Sequence, residues 1–189
     1  AAQQFIHIDI ADDFAEIDNL AYRLNRILDP DIRVINCEKA SPTFHARYTS
    51  LSRTYQYKIA DGLAVVPPLH RFDTASWFRK LDEKLMNEAS AKLIGLHDFK
   101  AFCKFREGQS TERDLREFTW KREGEVLVAT VSAASFGYSM VRNLVGAAVM
   151  VGEGKYGVDW PFEVMQKKER VPDLFVFPAN GLTLKAIQY

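Results

Sequence analysis

The chain has 189 residues, with 25 Lys or Arg and 25 Asp or Glu, so its formal net charge is zero at pH 7. This balance excludes attraction of a polyanion by net charge, and any nucleic-acid binding has to come from local clusters of cations. Hydrophobic residues make up 47% and charged residues 26%, which is typical of a soluble globular protein of one large or two small domains. No apolar run is long enough to span a bilayer, and two distant cysteines, Cys37 and Cys103, indicate free thiols in a reducing cytoplasm.

Hydrophobic periodicity and turn residues predict an α+β chain, with helices packed on an antiparallel sheet. Local signals mark the helix ends: Asp12 or Asp13 as the first N-cap, Pro30 beyond that helix, Gly95 as the stop of the second and Asp159 as the N-cap of the last. In chain order, the predicted elements are a strand at 5–10, a helix that ends before Pro30 within 12–30, strands at 31–38 and 52–60, a helix at 81–95, a hairpin of 115–120 and 126–133, helices at 138–152 and 160–169, and a strand at 181–189.

Two features resemble functional motifs but lack the context that such motifs need. The letters GEGKYG at residues 152–157 fit a dinucleotide-binding pattern, which requires a preceding strand, whereas a predicted helix precedes them here. These glycines therefore indicate the end of that helix. The four histidines have neither the mutual spacing nor the cysteine neighbours of a metal site, and they are predicted to be surface or hydrogen-bonding residues: His7, His45, His70 and His97.

Cations and aromatic rings are concentrated in FHARYTSLSRTYQYKI, residues 44–59, which contains no acid. In strand conformation, four of these side chains share one face: Arg53, Tyr55, Tyr57 and Ile59. Tyr57 is predicted to fill the core between sheet and helix, because tyrosine is a good strand residue. The ring of Tyr55 can pack in the same core or stack an exposed base whose phosphate Arg53 holds. Spacing alone leaves both interpretations open.

The predicted helix YSMVRNLVGAAVMVG, residues 138–152, carries a single charge, that of Arg142. The residues three and four positions away from Arg142 include no acid that could pair with it. Burial of an unpaired guanidinium is costly. Either Arg142 receives an anion from a distant part of the fold, or it lies in the first turn and extends its head to water. The local sequence does not decide between the two.

Six segments resemble, in order and spacing, the tRNA pseudouridine synthases of the TruA type: QQFIHID, LNRILDPDIRV, FHARYTSLSRTYQYKI, LIGLHDFKAFC, FGYSMVRNLVGAAVMVGEGK and PANGLTL. The resemblance runs through residues 1–189, and the segments together are specific. The family's catalytic loop, Gly-Arg-Thr-Asp-x-Gly-Val-His-Ala, would end near Ala1. The resemblance therefore implies an N-terminally incomplete chain that lacks the essential aspartate and is inactive alone.

The resemblance also implies a fold and a reaction. The fold is α+β, with two ferredoxin-like α/β domains that share an antiparallel sheet, an incomplete first domain at residues 1–45 and a second at 46–189. The reaction isomerises uridine to pseudouridine in the anticodon stem-loop of tRNA, with no metal or organic cofactor, in a cytoplasmic homodimer. Uracil is detached from the ribose, turned and rejoined through carbon, which requires a nucleotide that has left its stack.

Matched by position, two residues take the family's active-site roles. Tyr55 matches the tyrosine that packs against the target ring, and Arg142 matches the arginine that pairs with the catalytic aspartate. Such a pair would keep the aspartate ionised against the desolvation that favours its neutral form. The resemblance thus favours the functional interpretation of both residues.

Five further residues are expected around them. Met140 and Leu182 would line the pocket, although core packing accounts for them nearly as well. The others would contact the phosphodiester or stabilise the sheet edge: His45, Arg47 and Arg53. Two other functions stay open, a non-catalytic RNA-binding α+β module and a small-molecule enzyme on a ferredoxin-like fold.

Overall fold

The computed structural model describes residues 1–11, 17–62, 66–104 and 108–189. These residues divide into two compact units, one of Phe5–Thr49 and one of Ala1–Gln4 with Ser50–Tyr189. In the described part of the chain, all the strands and all but one of the helices belong to the larger unit. The domain boundary expected after residue 45 and a sheet shared by two ferredoxin-like domains stay predictions.

The smaller unit contains helix α1, Ile17–Ile27, which buries no side chain completely. The N-cap predicted at Asp12 or Asp13 lies outside the described residues. After the helix, the Asn25 side chain binds Val34 twice: its amide N–H donates to the Val34 carbonyl, and its oxygen accepts from the Val34 N–H, both at 2.8 Å. The Asn25 side chain therefore occupies the N–H and the carbonyl of Val34, which lies in a predicted strand.

The two strands predicted in this unit are wrong. Residues 31–38 form no strand because the Asn25 amide occupies the groups of Val34 that a neighbouring strand would bind. Residues 5–10 alternate apolar and polar residues as a strand would, but they form no ladder, and Ile6 and Ile8 stay exposed. Alternating apolar and polar residues allow a segment to pair as a strand, but a strand forms only where a partner strand is available.

The larger unit is an α+β structure built on one six-stranded sheet in the order β2-β1-β5-β4-β3, with β6 also paired to β1. This confirms the predicted class. The strands are β1 Ser52–Asp61, β2 Ala75–Trp77, β3 Gly95–Asp98, β4 Glu112–Glu123, β5 Val126–Ala133 and β6 Leu182–Gln188. The helices are α2 Glu83–Ala91, α3 Met140–Gly152 and α4 Trp160–Lys167, with short 3-10 turns at Pro68–His70 and Lys100–Phe102.

Strand β1 is an interior strand of the sheet and pairs along both of its edges. One edge pairs antiparallel with β5 along almost its whole length. The other edge is divided: residues 52–57 pair antiparallel with β6, and residues 59–61 pair parallel with β2. The expectation of a purely antiparallel sheet is therefore wrong at β2, a three-residue strand too short to show a periodic pattern in the sequence.

The core lies between the sheet and helices α2, α3 and α4. Tyr57 and Ile59 of β1 are fully buried there, which confirms the core interpretation of Tyr57. Helix α3 is buried at every position except Arg142. The N-cap interaction predicted for Asp159 is absent, because its carboxylate accepts from Lys92 Nζ at 2.5 Å and no backbone N–H of α4 reaches it.

A buried ion pair joins the far end of β1 to β4. The Asp61 side chain is 0% exposed, and Arg122, 25% exposed, donates to both of its oxygens at 2.6 and 3.0 Å. The Leu81 N–H donates to the same carboxylate at 2.8 Å. These donors favour the ionised carboxylate as acceptor, and the group connects three segments of the larger unit.

We expect Asp61→Asn to lower the free energy of unfolding by about 3 kcal/mol, because it leaves the Arg122 charge in a partly buried place without its anion. Urea unfolding of this chain and the variant measures the difference. Asp73→Asn is the matched control: Asp73 also pairs with a cation, Lys58, but its side chain is 43% exposed. Its substitution should cost less than about 1 kcal/mol. Equal losses in the two variants would contradict the role of burial.

The contribution of Asp61 to stability depends on pH with a definite sign. Burial acts to raise the pKa of its carboxyl, but the hydrogen bonds from Arg122 and Leu81 and the charges of Arg122 and Lys80 hold that pKa below its ordinary value of 3.8. The contribution is therefore complete above that pH and is lost as the pH falls through the lower pKa of the folded state. The stability gap between wild type and Asp61→Asn should narrow below about pH 4.

Candidate active site

Tyr55 lies where the pairing between β1 and β6 is irregular. It faces Val131 of β5 and Leu184 of β6, and the register with β6 shifts between Thr54 and Tyr55. β-Bulges at such register shifts change the direction in which side chains point, and they are frequent beside active sites. The Tyr55 ring is half-buried and meets the Phe136 ring edge-to-face, with centroids 5.2 Å apart. The contact fixes the ring without covering it completely.

The hydroxyl of Tyr55 is neutral under ordinary conditions. Burial raises its pKa above the usual value of 10.0, and the positive charge of Arg53 opposes the rise. The pKa of the Tyr189 hydroxyl shifts in the same direction from the same two causes. Arg53 therefore lies within electrostatic reach of both phenols. Tyr55 can pack against a ring and donate a hydrogen bond, but it cannot serve as a base near pH 7.

Tyr57, two residues further along β1, belongs to the core. Its hydroxyl donates to the carbonyl of Pro178, and its ring meets the Phe177 ring edge-to-face, with centroids 5.6 Å apart. Gly181 packs directly on the ring, since a Cβ atom there would lie 2.5 Å from a ring carbon. Only glycine leaves room for this approach. The segment PANGLTL is thus held against β1 by a tyrosine that shares its face with Tyr55.

Arg142, the third residue of α3, is half-buried and faces the same segment. Its Nε donates to the Phe177 carbonyl at 2.6 Å, and the Phe177 N–H donates to the Arg142 carbonyl at 3.2 Å. Burial raises the pKa of Tyr57, and the charge of Arg142 opposes the rise, so the guanidinium lies close to that phenol. No carboxylate of the described residues pairs with it. Arg142 is in the first turn, as one interpretation required, but it does not extend freely into water.

Met140 and Leu182 lie close to these groups in the chain. Met140 is the first residue of α3 and is fully buried. Leu182 begins β6 opposite Tyr57 and packs on the core with part of its side chain. Core packing describes both positions, and their contact with a substrate stays a prediction.

His45 and Arg47 belong to the smaller unit and form a turn with aromatic neighbours. The His45 Nδ1 accepts from the N–H groups of Arg47 at 3.1 Å and Tyr48 at 3.3 Å. The His45 ring lies 4.3 Å from the ring of His7 and 4.3 Å from that of Tyr48. The guanidinium of Arg47 lies 5.6 Å from the centre of the Tyr48 ring. The turn therefore groups one cation with three rings.

Two phenylalanines at this site were not predicted from the sequence. Phe136 lies beside Tyr55, and Phe177 lies beside Arg142 and Tyr57. Neither carries a charge or a motif of its own. The available signal was the glycine near each of them. Gly137 packs so closely on Cys103 that an added Cβ would overlap its Sγ, and Gly181 packs on Tyr57. A glycine in such a segment can indicate a close approach of the backbone to another segment.

Two other kinds of functional feature are absent from the described residues. In the described part of the chain, no group of at least three His, Cys, Asp or Glu side chains is placed to hold a metal ion. The described helices also include none with the length and apolar character needed to cross a membrane.

Comparison with known proteins identifies the family. A family profile described as tRNA pseudouridine synthase matches residues 89–189. A protein of Frankia casuarinae named tRNA pseudouridine synthase A is 45% identical over 190 residues, which cover 100% of this chain and 69% of the relative. The chain belongs to the tRNA pseudouridine synthase family. Two further relatives of this synthase carry the same name: those of Corynebacterium glutamicum, 40% identical over 100% of the chain and 70% of the relative, and Streptomyces griseus, 40% identical over 100% and 68%.

The segments around Arg142 and Tyr55 lie within the regions that match this family. The matched region of the synthase profile includes α3, β6 and the Phe177 segment, and the three relatives match the whole chain, including β1 with its tyrosines. The resemblance read from the sequence is confirmed at the level of the family. The roles of individual side chains follow from it only as proposals.

Proposed function

We propose that this synthase isomerises uridine to pseudouridine in the anticodon stem-loop of tRNA, and that Arg142 and Tyr55 face the reacting nucleotide. The observation that carries the proposal is the guanidinium of Arg142. It is half-buried, its Nε is bound to the Phe177 carbonyl, and no carboxylate of the described residues pairs with it. A cation held in this way is suited to receive an anion that another segment or a ligand brings.

In the proposed mechanism, that anion is the catalytic aspartate of the family's loop, which the resemblance places before Ala1. A guanidinium beside a carboxyl favours its ionised form and offsets the desolvation of a dry pocket. The bond from Nε to Phe177 fixes the guanidinium plane, while the two terminal nitrogens stay available as a pair of donors. The aspartate is thereby kept ionised for the step in which uracil is detached from the ribose.

Tyr55 supplies the surface for the target ring. A uridine that reacts has to leave its stack, at a cost of about a few kcal/mol. An aromatic ring that packs against the turned-out base recovers part of that cost. The edge contact with Phe136 orients the Tyr55 ring before the RNA arrives. Met140 and Leu182 would complete the apolar wall.

Basic residues of each unit would hold the RNA backbone. Arg53, which alternation along β1 puts on the same face as Tyr55, would contact a phosphate beside the target nucleotide. His45 and Arg47 would contact the phosphodiester from the smaller unit. The synthase is proposed to act as a cytoplasmic homodimer without a metal or organic cofactor, on the strength of the family resemblance.

The full-length protein tests the function directly. It should form pseudouridine in a tRNA transcript, measured by mass spectrometry of the digested nucleosides. A transcript in which cytidine replaces the uridines of the anticodon stem-loop should gain none. Affinity for tRNA should also fall steeply with salt, with a slope near −0.7 to −0.9 per phosphate contact in a logarithmic plot.

Two controls separate the alternatives. The 189-residue chain alone should form no pseudouridine, since the proposed mechanism needs the aspartate loop. A full-length protein that binds tRNA without forming pseudouridine at stoichiometric concentration would be a non-catalytic RNA-binding module. Turnover by the 189-residue chain would contradict the proposed role of the loop.

A further inference from the structure

Tyr138, four residues before Arg142, and its neighbour Lys104 have no role in the proposed mechanism. Tyr138 is 53% exposed and precedes Arg142 by four residues, which span at most about 14 Å of chain. The Lys104 Nζ lies 5.7 Å from the centre of the Tyr138 ring. An exposed ring and a cation are thus presented together close to the proposed catalytic arginine.

Backbone contacts hold this pair in place. The Lys104 N–H donates to the Tyr138 carbonyl at 2.9 Å. Next to it, Gly137 packs on Cys103 so closely that a side chain would not fit. Ser139 then adopts the left-handed conformation, with φ of 63°, and turns the chain into α3. The two segments are fixed to one another, and Tyr138 and Lys104 are both exposed.

The same segment is connected to Tyr55. Phe136, two residues before Tyr138, meets the ring of Tyr55 edge-to-face at 5.2 Å between centroids. The segment therefore contacts the proposed base-packing ring with one aromatic residue and exposes a second one.

We propose that Tyr138 and Lys104 form a second nucleotide site, in which Tyr138 stacks the base of a nucleotide adjacent to the target uridine and Lys104 contacts its phosphate. This inference rests on the proposed function. Stacking on an exposed ring next to a cation is the usual way in which proteins hold an unpaired nucleotide. Among the described residues, no carboxylate pairs with the Lys104 ammonium, so it is available to a phosphate.

The stacking contact is tested with the full-length protein and two sets of stem-loop RNAs, one intact and one abasic on either side of the target uridine. Tyr138→Ala should lower kcat/KM and affinity about 5- to 100-fold on intact RNA. The loss should largely disappear on the RNA that lacks the stacked base. Tyr138→Phe, which restores the ring, should recover most of the loss.

The phosphate contact is tested by Lys104→Gln, with Lys155→Gln as a matched control. Lys155 lies 5.3 Å from the ring of Tyr156, just past the opposite end of α3. Lys104→Gln should reduce the slope of log affinity against log salt by about 1, whereas Lys155→Gln should leave it unchanged.

An equal loss for Tyr138→Ala on intact and abasic RNA would overturn the second site and indicate a structural role. So would full activity and affinity of Tyr138→Ala on intact RNA. Failure of the proposed function has a different signature, namely a wild-type protein that forms no pseudouridine. Because affinity is measured for each variant, the second site is tested in that case as well.

Discussion

Replacement of Arg142 by methionine is expected to lower kcat/KM for pseudouridine formation by about a thousandfold or more, in a protein that stays folded. Methionine fills similar apolar volume but offers no donor to a carboxylate. The catalytic aspartate would then lie in a poorly solvated pocket without its cation, and its neutral form would be favoured. The measurement is single-turnover kinetics on tRNA with the full-length protein.

The structure explains why folding should survive this change. The variant loses the hydrogen bond from Nε to the Phe177 carbonyl, at a net cost of about 1 kcal/mol. The backbone bond from the Phe177 N–H to the carbonyl of residue 142 remains. The other residues of α3 are buried and, apart from Asn143, are apolar or glycine, so their burial does not depend on the charge.

Two further variants test whether the loss of activity is specific to the guanidinium of Arg142. Arg142→Lys keeps the charge but not the planar pair of donors, and it should stay well below wild-type activity. Arg79→Met removes an arginine whose side chain is 56% exposed and which lies near Glu153, beyond the last turn of α3, and it should leave activity unchanged. Normal turnover by Arg142→Met would remove the proposed ion pair from the mechanism.

The elements that the sequence predicts well are those whose pattern is complete within one segment. Strand β1, the hairpin of β4 and β5, helix α3 and strand β6 all lie where periodicity and glycines indicate. The hairpin turns at Gly124, with φ of 60°, as its position predicts. Helix α3 begins two residues later than predicted because Ser139 is left-handed.

The elements that the sequence predicts badly depend on a partner elsewhere. Residues 31–38 have a strand-like composition, but the side chain of Asn25 takes the backbone groups of Val34. Strand β2 exists because the edge of β1 beyond residue 57 is not used by β6. Neither interaction can be predicted from the sequence pattern of the segment itself.

The same limit applies to the candidate site. Alternation along β1 places Tyr55 and Tyr57 on one face. It cannot show that Gly181 and Phe177 cover the Tyr57 ring, whereas the Tyr55 ring stays partly exposed. The isolation of Arg142 in an apolar helix is visible in the sequence. Its binding partner is a main-chain carbonyl 35 residues away, and a carbonyl has no sequence signature.

Replacement of Tyr55 by alanine should abolish pseudouridine formation, with a loss of about a thousandfold or more in single-turnover rate and little change in tRNA affinity. The ring contacts the target base only after that base has left its stack, so it contributes to the reactive state more than to initial binding. Affinity depends mainly on phosphate contacts, which the variant keeps. Filter binding and single-turnover kinetics on the same preparation separate the two effects.

Tyr55→Phe decides which part of the side chain matters. Because burial raises the pKa of the hydroxyl above 10.0, it is not a base at neutral pH, and the ring itself should carry most of the effect. Tyr55→Phe should therefore recover a large part of the activity that Tyr55→Ala loses. Tyr22→Ala, which removes an exposed tyrosine of α1, serves as the control. A Tyr55→Ala protein with wild-type turnover, or one that loses turnover and tRNA affinity in equal measure, would exclude Tyr55 as the packing surface for the base.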